Sequence, residues 1–160
     1  MFCVFLSATI NYFWYCSTQG LAVNQVMWAW EWGGPTYTQS ADELAEIVNV
    51  GQCIFFVTLV IMQWGNCLSV RTRHVSLFQH NPLWGPHRNW YLPLGVLLAF
   101  VTLIVITLGP FFQDTFLTRQ VPIQYAMVAV CWAIFLIALD ECRKYCVRNY
   151  PNSFIAKIAW

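Results

Sequence analysis

The stretch GQCIFFVTLVIMQWGNCLS, residues 51–69, is almost entirely apolar and is followed at once by Arg71, Arg73 and His74. A helix needs about 20 apolar residues to cross the hydrocarbon core of a bilayer. Arginines without an acid directly after such a run are typical of the cytoplasmic end of a membrane helix. This stretch therefore predicts a transmembrane helix whose carboxyl end faces the cytoplasm.

Three other segments are apolar over comparable lengths, and the composition of the chain agrees with a membrane protein. Of 160 residues, 59% are apolar and 9% are charged, whereas about a quarter are charged in a soluble domain. The apolar part of the first segment is short and begins abruptly, so we expect it to be the second half of a helix. The predicted fold is an all-α membrane protein, a bundle of four transmembrane helices with the first truncated, spanning about 1–20, 50–69, 90–112 and 121–140.

Charge is distributed unequally between the connecting segments. The 70–89 loop has three arginines, all three histidines and no acid, and the segment from Glu141 onward has four basic residues. The other two connections have five acids and a single basic residue, Arg119. Because basic residues favour the cytoplasmic side, we expect the 70–89 loop and both chain ends to be cytoplasmic.

The segment that precedes the 51–69 run predicts the start of a helix. Ser40 is an N-cap candidate, acids follow it in the next turn, and Leu44 and Val48 are spaced for one helical face. We expect a short helix here that leads into the second span. The preceding MWAWEWGGPTY, residues 27–37, is a tryptophan-rich turn suited to the membrane interface.

No catalytic motif stands out along the chain. There is no Gly-rich phosphate loop, no HExxH and no paired His and Cys, and the three histidines are expected to be solvated loop residues. The seven cysteines form no CxxC pair, and we expect them mainly to be small buried apolar residues. The net charge of +1 gives no case for a nucleic-acid partner. The sequence thus predicts no catalytic residue and no cofactor site.

Two amides within the 51–69 run are the candidate site residues. Gln63 and Asn66 are three residues apart and share one helical face. Their carbonyl oxygens suit a partly dehydrated alkali cation, and the alternative is that they form an interhelical hydrogen-bond pair. No predicted span has a carboxylate in its interior, so the negative charge of an ion pathway would have to come from elsewhere.

Two further features concern packing. Gly65 would let another helix approach closely. Asp140 and Lys144 form an i,i+4 pair of favourable order, which fits either a basic membrane anchor with local ion pairs or a surface that docks onto a cytoplasmic part.

Two sequence blocks resemble a known family. FFVTLVIMQWGNCLSVRTRHVSLFQ, residues 55–79, resembles the eighth transmembrane helix and following loop of the catalytic alpha subunit of sodium/potassium-type P-type ATPases. LDECRKY at 139–145, followed by RNYP at 148–151, resembles the end of the last helix in that family. The resemblance covers essentially the whole chain, as helices seven (in part) to ten.

The resemblance implies the carboxy-terminal membrane region of an ATP-driven pump for monovalent cations, sodium and potassium or protons. In that family the phosphorylation and nucleotide domains, which use ATP and Mg²⁺, and the carboxylates of helices four to six lie outside the region that this chain resembles. By this resemblance the chain has no ATP hydrolysis of its own and no cofactor. Its implied partners are the lipid bilayer, the remaining helices and the cytoplasmic domains, and its implied location is the plasma membrane, as a multi-pass protein.

This sequence matches some of the functional positions of that family and lacks others. Gln63 matches the family glutamine, and Asn66 stands where those pumps have an aspartate of their sodium-specific site, so oxygen coordination is kept and charge is lost. The family's glutamate on the next helix has no counterpart in LGVLLAFVTL, residues 94–103, and EWGGPTYTQ, residues 31–39, gives no support for a beta subunit. Ser76 matches the serine that follows the basic run and is a candidate phosphorylation site.

Two other classes of protein remain as alternatives. The chain could be a stand-alone four-span scaffold or accessory protein that binds other helices and transports nothing. A small independent channel is disfavoured, because the sequence shows no ring of charges and no polar pore stripe.

Overall fold

The computed structural model describes residues 2–28, 40–71 and 90–149, and within them every regular element is a helix. We label the helices in chain order: α1 Phe2–Thr18, α2 Val23–Trp28, α3 Ala41–Arg71, α4 Tyr91–Leu108, α5 Pro110–Phe116 and α6 Ile123–Asn149. The all-helical prediction is confirmed for this part of the chain.

Helix α3 begins with the predicted cap at Ser40. The backbone N–H of Ser40 donates to Glu43 Oε2 at 3.0 Å, and the backbone N–H of Glu43 donates to Ser40 Oγ at 3.3 Å. This reciprocal arrangement satisfies two N–H groups that have no partner inside the helix. The predicted short helix is not separate, however: α3 runs without a break for 31 residues, about 46 Å, so it extends well beyond a hydrocarbon core of about 30 Å.

Three of the described helices are long and apolar enough to cross a membrane. They are α4, α6 and the stretch Ala41–Val70 of α3. Helix α1 is also strongly apolar, but its 17 residues span only about 26 Å. The span predicted over 90–112 is divided into α4 and α5, which meet at Gly109.

The break at Gly109 follows from backbone hydrogen bonding. Pro110 lacks an N–H group and opens α5, so the α4 ladder cannot continue through it. Gln113 Nε2 donates to the carbonyl oxygen of Thr107 at 2.9 Å, and Thr118 Oγ1 donates to that of Ile106 at 3.0 Å. These side chains satisfy the carbonyl groups that the break frees, as a low-dielectric environment requires.

Helix α3 is the centre of the packing, with its most extensive contacts to α6 and α1. The prediction for Gly65 is confirmed, because a Cβ there would lie 3.4 Å from both the Cβ and the carbonyl oxygen of Ala133 on α6. Two apolar clusters fill the interior, and helix α4 contributes only Leu103 to them. Members of the first cluster are Val4, Val57, Ile61, Met62, Leu103, Ala129 and Ala133.

The prediction that the cysteines are mainly buried is wrong within this chain. Cys16 and Cys53 are buried, but Cys3, Cys67, Cys131 and Cys142 are exposed, and all seven are unpaired. A thiol behaves as a small apolar group. On a membrane helix such a group can face lipid as readily as protein, so an apolar run does not show which of its residues face inward.

Candidate functional site

The two amides predicted as site residues lie next to each other on a partly exposed face of α3. Asn66 Nδ2 donates a hydrogen bond to Gln63 Oε1 at 3.3 Å. The Gln63 side chain is exposed, and Asn66 is half-buried. This hydrogen bond lies within α3, so it does not join two helices as the packing alternative proposed.

Gln63 opens into a groove between α3 and α4. The groove has a volume of about 810 Å³, and its walls are mostly apolar. Trp64 also lines it and stacks edge-to-face on Phe100 of α4. The indole Nε1 of Trp64 is buried and has no hydrogen-bond partner among the described residues. The groove therefore combines apolar walls with a few polar atoms near Gln63.

A polar junction joins three helices in the middle of the bundle. Asn11 of α1 is fully buried, and its Nδ2 donates to Thr58 Oγ1 of α3 at 2.9 Å and to the carbonyl oxygen of Tyr125 of α6 at 3.2 Å. Tyr125 is tied to α1 again through its hydroxyl, 2.9 Å from Thr18 Oγ1. Hydrogen bonds across membrane helices fix their relative positions. This junction holds α1, α3 and α6 together.

An ionic cluster around a buried lysine lies near the carboxyl ends of α3 and α6. Lys144 Nζ is 2.6 Å from Asp140 Oδ2 and 3.3 Å from Glu141 Oε1, and it donates to the carbonyl oxygen of Ser69 at 3.4 Å. Arg143 donates to Asp140 Oδ1 at 2.8 Å. The predicted Asp140–Lys144 pair is confirmed. Lys144 is 1% exposed, so it is an interhelical lock and does not serve as an anchor that faces the solvent.

At the opposite end of α3, the segment between α5 and α6 is clasped to it. Arg119 Nε donates to Glu46 Oε1 at 2.7 Å, and the backbone N–H of Arg119 donates to Cys53 Sγ at 3.1 Å. The carboxylate of Glu46 accepts this hydrogen bond and attracts the guanidinium charge, which raises the pKa of Arg119 above its ordinary value.

The described residues show no other arrangement suited to a metal. Within 2–28, 40–71 and 90–149, no group of three or more His, Cys, Asp or Glu side chains could hold a metal ion. Ser76, the three histidines and residues 31–39, on which further predictions were made, lie outside the described residues.

Comparison with known proteins identifies the family. Residues 3–146 match the family described as "Cation transporting ATPase, C-terminus". The sodium/potassium-transporting ATPase subunit alpha of Hydra vulgaris is 25% identical over 112 residues, 70% of this chain and 10% of that protein. The human sodium/potassium-transporting ATPase subunit alpha-4 is 27% identical over 106 residues, 66% of this chain and 10% of that protein. The potassium-transporting ATPase alpha chain 2 of Rattus norvegicus is 30% identical over 104 residues, 65% of this chain and 10% of that protein.

The described residues form an all-helical region in which three helices are long and apolar enough to cross a membrane. The family match is far longer than half of the chain, and the chain therefore belongs to the family of cation-transporting ATPase C-termini. The resemblance seen in the sequence is thus confirmed. The chain spans about a tenth of the length of the curated relatives it matches.

The polar junction at Asn11 and the burial of Lys144 were not predicted from the sequence. The Asn11–Thr58 junction had one signal, the single amide in the apolar stretch 1–16, but its partner on α3 depends on how the helices pack. The burial of Lys144 had a weaker signal, because the i,i+4 spacing shows the pair but not the face of α6 on which it lies.

Proposed function

We propose that this chain is the carboxy-terminal membrane region of an ATP-driven pump for monovalent cations, and that Gln63 and Asn66 face its ion-binding region. Support for the first part comes from the family match over residues 3–146 and from relatives named as sodium/potassium- and potassium-transporting ATPases. ATP and Mg²⁺ act in domains outside this chain, and the carboxylates that neutralise the cation belong to other helices of the pump.

The observation that carries the second part is the position of the two amides. Gln63 is exposed between apolar residues in the second half of α3, and lipid tails offer an amide no hydrogen bond. Exposed polar groups at membrane depth usually face a polar pathway or another part of the protein. In the complete pump, this side of α3 faces the remaining helices, whose carboxylates then lie opposite two amide carbonyl groups.

The proposed topology has four spans, with both chain ends and the 70–89 loop on the cytoplasmic side of the plasma membrane. The basic residues of that loop and of the segment after α6 support this orientation. The acidic start of α3 and the Glu46–Arg119 clasp then lie on the outer side. Ser76 is proposed as a cytoplasmic phosphorylation site.

The experiment is the cation dependence of ATP hydrolysis by the complete pump, compared between variants of Asn66. Asn66→Ala removes an oxygen ligand and is expected to raise the cation concentration for half-activation several-fold. Asn66→Asp adds a negative charge and is expected to lower it, because a carboxylate attracts a partly dehydrated cation more strongly than an amide does.

The matched control is Gln52→Ala. Gln52 is an exposed amide on the same helix, about 16 Å from Gln63 along the helix axis, and its removal should leave the half-activating concentration unchanged. Equal cation dependence of ATP hydrolysis in the wild type and both Asn66 variants would contradict the proposal that the two amides face the ion-binding region. It would favour a role in packing. A polypeptide that hydrolyses no ATP would instead favour the stand-alone scaffold.

A further inference from the structure

The carboxyl end of α6 presents two thiols that the proposed pump function does not use. Cys142 is exposed, and Cys146, one turn further on, is half-buried. Together with Glu141, Tyr145 and Arg148 they line a shallow hollow of about 400 Å³ on the surface of α6. Both thiols lie on the opposite side of the helix from the buried Lys144.

The depth of these thiols suits the membrane interface. Leu139 is the last residue of the apolar run before Asp140. At about 1.5 Å per residue, Cys142 lies roughly 5 Å and Cys146 roughly 10 Å beyond Leu139 along the helix axis. The headgroup layer on each side of a bilayer is about 5–8 Å deep. The two thiols are thus close to both the aqueous phase and the hydrocarbon.

The direction of the side chains also favours contact with lipid. In a helix every Cα–Cβ bond tilts toward the amino end, and the amino end of α6 leads back into the membrane. Phe135 and Ala138 precede Cys142 on the same outward face, and both are exposed, Phe135 to 53%. A hydrocarbon chain attached at Cys142 would therefore lie along an apolar surface that already faces outward.

We propose that Cys142 and Cys146 are a site of S-acylation, at which a long-chain fatty acyl group is held as a thioester. The acyl donor is a fatty acyl coenzyme A, used by a membrane-embedded acyltransferase. The cysteine sulfur bonds to the acyl carbonyl carbon, the bond from that carbon to the coenzyme A sulfur breaks, and the thiol proton passes to the released coenzyme A. Juxtamembrane cysteines are the usual acceptors of this reversible modification.

Two of the three other exposed cysteines, Cys131 and Cys67, fit this chemistry less well. Cys131 shares the outward face of α6 but lies about 16 Å deeper than Cys142, within the apolar run, where the polar coenzyme cannot follow. Cys67 faces the groove between α3 and α4 beside Gln63. Cys131 is therefore the matched control for a test of Cys142 and Cys146.

The inference rests on the proposed function, because it requires the carboxyl end of α6 to be cytoplasmic. The test expresses the complete polypeptide in eukaryotic cells supplied with an alkyne-bearing palmitate analogue, and measures the label on the immunopurified protein. We expect a label that neutral hydroxylamine removes, that Cys131→Ser keeps, and that falls to background in the double variant Cys142→Ser/Cys146→Ser. Each single variant should lose part of it, and a blot should show equal amounts of protein in the membrane.

Absence of a hydroxylamine-sensitive label on the wild type, or its persistence in the double variant, would overturn the inference. So would modification of Cys142 in intact cells by a membrane-impermeant thiol reagent, because that result places the thiol outside. The same preparations are tested for an acid-stable phosphoenzyme with ATP. A phosphoenzyme without the acyl label contradicts S-acylation alone, and an acyl label without a phosphoenzyme contradicts the pump function alone.

Discussion

The ammonium nitrogen of Lys144 lies 2.6 Å from Asp140 Oδ2, and this pair is tied to α3 through the carbonyl oxygen of Ser69, 3.4 Å from the same nitrogen. A charge buried at the end of a membrane helix is tolerated only when it is neutralised and hydrogen-bonded. Here the neutralising acid comes from α6 itself and the extra acceptor from α3. The pair therefore fixes the end of α6 against the end of α3, which also bears Asn66.

Removal of the charge of Lys144 should destabilise the bundle. Lys144→Met removes one of the two cationic partners of Asp140, whose side chain is 14% exposed. The loss of such a charged hydrogen bond costs roughly 1–3 kcal/mol. We expect a lower melting temperature of the detergent-solubilised protein, measured by fluorescence-detected size exclusion. The control Asp114→Asn removes a charge from an exposed side chain of α5 and should have little effect. Equal melting temperatures for Lys144→Met and the wild type would contradict the interhelical lock.

The contact between α3 and α6 at Gly65 gives a second prediction. Gly65→Val introduces side-chain atoms where a Cβ would already lie 3.4 Å from the Ala133 carbonyl oxygen. Such overpacking costs roughly 1–3 kcal/mol, so the melting temperature should fall. Gly95→Val is the control, because a Cβ at Gly95 meets no atom within 4 Å. Equal melting temperatures for Gly65→Val and Gly95→Val would contradict this prediction.

The junction of Asn11 with Thr58 gives a third prediction. In a double-mutant cycle with Asn11→Leu and Thr58→Val, we expect a coupling energy of about 1 kcal/mol. The hydroxyl group of Thr58 also donates to Ile54 on its own helix at 2.7 Å, so its loss has an intrahelical component. Thr102→Val measures that component, because the Thr102 hydroxyl donates to Leu98 at 2.9 Å and the side chain is exposed. Additive effects of Asn11→Leu and Thr58→Val would show that the junction does not couple the helices.

Much of the fold could be predicted from the sequence because apolar length and capping are local properties. The Ser40 cap was predicted from the acid three residues further on, and the close approach at Gly65 from the absence of a side chain. The division of the 90–112 span at Gly109 was not predicted. The sequence GP at 109–110 is its signal, since proline interrupts the helical ladder.

The candidate site could be predicted only in part, for a physical reason. An amide in an apolar run stands out whatever the packing, so Gln63 and Asn66 could be named as candidates, and the structure shows them hydrogen-bonded to each other. The face on which a side chain lies is set by contacts between helices, and membrane helices are apolar on their lipid-facing and protein-facing sides alike. The periodicity that reveals the buried face of a soluble helix is thus weak here, and the burial of Asn11 and Lys144 had to be read from the structure.

The Glu46–Arg119 clasp gives a fourth prediction, which concerns pH and salt. The pKa of Arg119 is higher in the folded state because of its hydrogen bond with Glu46. Because the pKa is raised, the stabilisation is complete at any pH below the pKa of Arg119 in the unfolded chain. It is lost only as the pH rises through the pKa of Arg119 in the folded protein. The loss of melting temperature in Arg119→Gln should therefore be the same at neutral and mildly alkaline pH.

High salt should reduce the effect of Arg119→Gln, because both partners of the clasp are substantially exposed, 36% for Arg119 and 52% for Glu46. The matched control is the double variant Glu46→Gln/Arg119→Gln. Because neither charge of the clasp remains, salt should not change its melting temperature through this site. A strong dependence of the Arg119→Gln effect between neutral and mildly alkaline pH would contradict the assignment of the pKa shift.

The central claim, that this chain is part of an ATP-driven cation pump, is tested most directly by phosphoenzyme formation. An antibody to residues 148–160 would capture the polypeptide from native membranes, and incubation with labelled ATP and Mg²⁺ would follow. We predict a band several-fold larger than the 18.5 kDa of this chain, with an acid-stable phosphoryl group whose amount changes with sodium or potassium. A band at 18.5 kDa that takes up no phosphoryl group would contradict the claim and identify a stand-alone membrane protein.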